Sequence, residues 1–181
     1  MTGSARLLRR GLFVLLTAGV LAVPATAQLP AGIDLSEDEM AVFARLAMPT
    51  AFRSLQAKCN PVLDADAYMY RSGDALQRRL TTASETAWPN AGRMIARVAA
   101  RGNPAMGEIL AGMPADSLRP FVNEMVAGMI ATRVEAGQCE RIDRVLALLE
   151  PLPPENLADL AAFAYIEARE AETGSSTGAA R

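Results

Sequence analysis

The chain contains no histidine. That absence excludes serine and cysteine hydrolases that rely on a histidine base. It also excludes histidine-ligated metals and covalently attached haem. No remaining side chain has an ordinary pKa near neutrality. Lysine is nearly missing: Lys58 stands alone against 17 arginines. Aromatic residues make up only 5% of the chain, with a single tryptophan at position 88. β-Branched residues are sparse and no segment alternates apolar with polar, so nothing reads as a strand. Beyond residue 23 no apolar run approaches the roughly 20 residues that a membrane-spanning helix needs.

The amino terminus carries the clearest pattern. Arg6, Arg9 and Arg10 give it a positive start, and an apolar run from Gly11 to Val23 follows. Pro24 ends the run, and Ala25-Thr26-Ala27 supplies the small residues a signal peptidase reads. Residues 1–27 are therefore expected to be a secretory signal peptide, with the mature chain starting at Gln28. No cysteine sits at that junction to carry a lipid. Arg9-Arg10 is compatible with twin-arginine export as well as the ordinary unfolded route. The expected location is periplasmic or secreted.

Residues 28–35 read as a linker, 36–172 as one helical domain and 173–181 as a disordered Gly/Ser/Thr/Ala tail. From Gln28 onward the chain has 154 residues, a length suited to one domain. It holds 15 basic and 20 acidic side chains, five negative charges net. So acidic a surface is ill suited to nucleic acid. Nothing in the residues calls for a cofactor or metal.

Two cysteines in an exported protein read first as one disulfide. Pairing Cys59 with Cys139 closes a loop of about 80 residues, which in the chain-entropy model restricts the unfolded state by roughly 4–5 kcal/mol.

The helical pattern predicts an all-α fold, a single irregular bundle of six or seven helices. Ser36-Glu37-Asp38-Glu39 is a capping box with acids in the first turn. Pro49 is expected to kink or interrupt the helix that follows. A second helix is expected from Asp64 or Asp66, with Met69, Gly73, Leu76, Leu80, Ala83 and Ala87 as its packing seam. Trp88-Pro89-Asn90 is expected to stop it and cap a third helix that ends at Gly102. Asn103-Pro104 opens a short fourth. The fifth carries Phe121, Val122, Met125, Val126, Met129 and Ile130. A sixth starts near Cys139, with Ile142, Val145, Leu146 and Leu149 inward. The last carries Leu157, Leu160, Ala161 and Ala164, with Phe163 and Ile166 beside them.

Few constellations suggest chemistry. Arg93, Arg97 and Arg101 fall at i, i+4, i+8, a basic stripe along one helix face. It suits an anionic partner, or simply a solvated face balanced by nearby acids. Ala127, Gly128 and Ala131 form a small-residue strip that would admit a close neighbour or a partner. The methionines are scattered over core faces, which suits core filling rather than the clusters that bind Cu(I). Asp64, Asp66 and Asp74 fail as a calcium loop, because positions 6 and 12 hold Met69 and Ala75 rather than Gly and Glu. Ser84-Glu85-Thr86 faintly resembles exported peptidoglycan-cutting transglycosylases, which use one glutamate at a helix end. The Gly-rich, Gln-containing motif expected downstream is missing, and so is the second placed carboxylate that glycosidases want.

These features favour a non-enzymatic exported protein that acts on another protein or envelope component. The alternatives are a carrier for a small apolar ligand between helices and a glycan-cleaving enzyme using Glu85. The oligomeric state leaves no mark in the sequence. Mass spectrometry of the exported protein should give a chain beginning at Gln28. A mass that retains the apolar run would instead mean a membrane-tethered protein.

Overall fold

The computed structural model describes residues 35–178. The signal-like segment, Gln28 and most of the linker lie outside the described residues, as do residues 179–181. Among the described residues the chain forms seven α-helices and no strand. They are α1 (Glu37–Cys59), α2 (Tyr68–Arg71), α3 (Gly73–Gly102), α4 (Pro104–Ala111), α5 (Ala115–Arg133), α6 (Cys139–Leu149) and α7 (Pro154–Gly178). Single 3-10 turns lie in the two longer breaks, Asn60–Val62 directly after α1 and Ala136–Gln138 directly before α6. The all-α, one-disulfide bundle is the fold expected.

The capping box forms. Glu39 N donates to Ser36 Oγ at 3.3 Å, and Ser36 N donates to Glu39 Oε2 at 3.0 Å. Helix α1 is the central element, packed against α3, α5 and α7. Its first half meets α3 and α5 around Leu46, Trp88, Ala91, Met94, Leu118, Val122 and Val126. Its second half meets α2, α3 and α6 around Phe52, Met69, Leu76, Leu80 and the cysteines. Leu35, Met40 and Ala41 pack against Ala162 of α7 in a smaller cluster.

Two expected breaks do not occur. Pro49 lies within a continuous α1, and Pro89 lies within a continuous α3 of 30 residues. Each proline removes one backbone hydrogen bond and crowds the preceding turn, a cost of about 3 kcal/mol in isolation. Buried neighbours on both sides hold the helix through that defect. Around Pro89 these are Ser84, Trp88, Ala91 and Met94, all packed toward the core. Helix α5 accommodates Pro120 in the same way, between buried Leu118 and Val122.

The expected start at Asp64 or Asp66 is also displaced. Ala67 N donates to Asp64 O at 3.0 Å in a turn, and α2 begins only at Tyr68. Its cap comes from a distant residue. Asp143 of α6 accepts from Tyr68 N at 3.0 Å and from Met69 N at 2.8 Å. A carboxylate at a helix start satisfies otherwise orphaned donors and complements the helix dipole. Four residues before Asp143, Cys139 bonds Cys59, with their Cα atoms 5.3 Å apart and neither residue exposed.

Helix faces differ from the expected ones in three places. In α6, Ile142 and Leu146 pack on the core, but Val145 points outward. In α7 the buried face is Ala158 and Ala162, with Tyr165 beside them, while Leu160 and Phe163 are exposed. Alanines let α7 lie close along α1, and bulkier side chains on that face would hold it away. The α7 backbone continues to Gly178, six residues into the stretch expected to be a disordered tail. Helix propagation adds one bond per residue once a helix exists, so even weak helix formers extend it.

The third difference concerns the small-residue strip of α5. A Cβ at Gly128 would have no neighbour within 4 Å, so no helix among the described residues packs closely there. Close approach occurs instead between α3 and α4. A Cβ at Gly107 would lie 2.8 Å from Ala100 Cα and nearer still to its Cβ. Gly107→Ala should therefore destabilise the fold by about 1–3 kcal/mol, because the backbone of α3 must shift. Gly128→Ala should stabilise it by up to about 1 kcal/mol through helix propensity. Thermal melts of the two variants should move in opposite directions. Parallel shifts would contradict this placement of α4.

Candidate functional site

Glu85 and Trp88 sit one turn apart on α3, opposite Arg119 of α5. Arg119 holds both oxygens of Glu85, Nη1 to Oε1 at 2.5 Å and Nη2 to Oε2 at 2.8 Å. Its Nε donates to Asp116 Oδ1 at 2.9 Å. The guanidinium carbon lies 4.8 Å from the centre of the Trp88 ring, in cation–π range. The Arg119 hydrogen bonds hold the Glu85 carboxyl below its ordinary pKa. A solvent-exposed carboxylate held in this state is a poor proton donor. The neighbouring acid, Asp116, shares the same guanidinium. The cluster pins α5 to α3, and it does not provide the protonated acid and free second carboxylate that glycan cleavage requires.

The basic stripe is divided among different tasks. Arg101 pairs with Glu39 Oε2 at 2.5 Å and so ties the end of α3 to the start of α1. Arg93 donates to Asn90 Oδ1 at 2.5 Å, one turn back. Arg97 is exposed, without a partner among the described residues. Only part of the stripe is therefore free to meet an anion.

On α5, Gly128 and Ala131 are exposed and Ala127 is half-buried. The strip serves the chain at one point, where Lys58 Nζ donates to Ala131 O at 2.6 Å. Phe121, two turns earlier, is 70% exposed. Helix α4 presents Met106 and Ile109, both exposed, at i and i+3, and exposed Met113 follows just past its end. That spacing places Met106 and Ile109 on one face of the helix, a paired apolar patch rather than isolated side chains.

A cleft of about 370 Å³ opens between α3 and the start of α7. Arg78, Arg79, Thr82, Ala83, Thr86, Pro154 and Glu155 line it. Arg79 Nη2 donates to Glu150 O and Leu152 O, both at 2.9 Å, and so fixes the turn before α7. Arg78 has no partner among the described residues. The cleft is open and carries charge, unlike the enclosed apolar pocket that a carrier of apolar ligands would need. Sequence reading missed it. The signal was the polar row Arg78, Thr82, Thr86 at steps of four, but its other wall lies some 70 residues away.

Among the described residues, no three His, Cys, Asp or Glu side chains converge to hold a metal ion. No helix among them is long and apolar enough to cross a membrane. Comparison with family models, curated proteins and solved structures finds no match.

Hydrogen bonds from Arg101 hold Glu39 below its ordinary value of 4.5, as Arg119 does for Glu85. A depressed folded-state pKa stabilises the fold above the unfolded value, and that contribution is lost as pH falls through the folded one. Urea midpoints should therefore drop as pH is lowered below 4.5. Glu39→Gln should start lower at neutral pH and lose less on acidification. An acid dependence equal to that of the unmodified protein would show that the Arg101 pair contributes nothing.

Proposed function

We propose that this protein is exported and acts without chemistry of its own, by docking another macromolecule of the envelope onto exposed helical faces. The exposed apolar face of α4 carries this reading. Met106 and Ile109 lie on one face of α4, and Ile109 is 61% exposed. Keeping such a face in water costs roughly 25 cal/mol for each Å² left unburied, which a partner would recover. Export is supported by the amino-terminal pattern and by the Cys59–Cys139 disulfide, since such bonds persist in oxidising compartments.

The reading is tested with a photoreactive amino acid placed at Ile109 in intact cells, and at exposed Glu140 as the control position. A discrete adduct should form from position 109 and not from 140. Ile109→Glu, combined with the photoreactive group at Met113, should remove the adduct while leaving the melting temperature within about 2 °C, as expected for a surface change. Absence of any adduct at 109, or equal labelling at both positions, would overturn the proposal.

A further inference from the structure

We propose that the cleft between α3 and α7 binds a small zwitterion, an amino acid or the carboxyl end of a short peptide with an apolar side chain. The inference is independent of the docking face on α4. It rests on how the lining divides by chemistry. Arg78 and Arg79 supply two cations. Arg79 is already committed to the carbonyls of Glu150 and Leu152, so it holds its charge in place whether or not a ligand is present. Arg78 is exposed and has no partner among the described residues, which leaves a planar fork of donors free for a carboxylate. The first turn of α7, a helix of 25 residues, adds its positive end at the same wall.

The remaining polar groups are acceptors. The Thr82 hydroxyl donates to Arg78 O at 3.1 Å, and the Thr86 hydroxyl donates to Ala83 O at 2.8 Å. Their protons are used within α3, so toward the cleft these oxygens accept. Glu155 adds a carboxylate. A simple anion would meet these acceptors unfavourably. A ligand carrying both a carboxylate and an N–H donor satisfies both sets. Ala83 and Pro154 provide apolar wall for a side chain, and the volume suits one or two residues.

The test titrates the isotope-labelled protein by NMR with L-leucine, L-leucinamide and 4-methylpentanoate. The second ligand lacks the carboxylate and the third lacks the ammonium. L-Leucine should shift the amides of Thr82, Thr86 and Glu155 saturably. Each analogue should bind at least about tenfold more weakly, as should L-leucine to Arg78→Gln or Glu155→Gln, each of which removes a charge-assisted hydrogen bond. Both side chains are exposed, so these variants should melt with the unmodified protein. L-Alanyl-L-leucine separates the sources: tighter binding than L-leucine marks a peptide terminus, and weaker binding a free amino acid. No saturable shift with either L-leucine or the dipeptide, equal binding of 4-methylpentanoate, or full retention of binding in Arg78→Gln would overturn the proposal.

Discussion

Helix α6 has few ways to stay attached to this molecule. It is 11 residues long, and its outer face leaves Val145 and Leu148 in solvent. The Cys59–Cys139 bond anchors its first residue to the last residue of α1, across 80 positions of sequence. One turn later Asp143 reaches back to the start of α2 and accepts from two of its backbone amides. The covalent link restricts the unfolded chain, by roughly 4–5 kcal/mol in the chain-entropy model. The carboxylate cap then fixes orientation, because α2 is a single turn of four residues that could not form unaided. Together they fix the direction in which α6 leads into α7, and hence where the wall of the cleft stands.

Features written in neighbouring residues were legible. The capping box at Ser36, the start of α4 at Asn103-Pro104 and the stop at Gly102 all depend on contacts within a few positions. The cysteine pair was legible from its even count together with the expected export to an oxidising compartment. What escaped depended on tertiary contact. Pro89 looks like a terminator when the chain is read locally, yet Trp88 and Ala91 are buried on either side of it and carry the helix through. The cap of α2 was unreadable because its acceptor lies about 75 residues downstream. Glycine was ambiguous for a similar reason. Gly107 and Gly128 both sit inside helices, but only Gly107 faces a backbone close enough to exclude a methyl group.

Charge followed the same division. Sequence spacing placed Arg93, Arg97 and Arg101 on one face, which was sound geometry. It could not show that Arg101 would meet Glu39, 62 positions earlier in the chain. Nor could it show that Arg119 would take Glu85, Asp116 and the face of Trp88 at once. Exposed ion pairs contribute little singly, about 0–1 kcal/mol. Their value here is geometric. The Arg101–Glu39 and Arg119–Glu85 pairs each join two helices, so these arginines help set register while the core supplies most of the stability.

The placement of large and small apolar residues links packing to function. Helix α7 turns Ala158 and Ala162 inward and leaves Leu160 and Phe163 outside. Helix α4 faces α3 through Gly107 and leaves Met106 and Ile109 outside. A chain shaped only for its own stability would do the reverse, since a buried Leu or Phe contributes about 1.5–3 kcal/mol and a buried Ala far less. Small inward faces bring helices close, and the bulky residues that were not needed for that contact remain in water. Scattered singly, such residues are ordinary. Met106 and Ile109 are one turn apart on α4 and share a face. On the docking proposal, Met106 and Ile109 of α4 are the part of this uncovered surface that a partner buries.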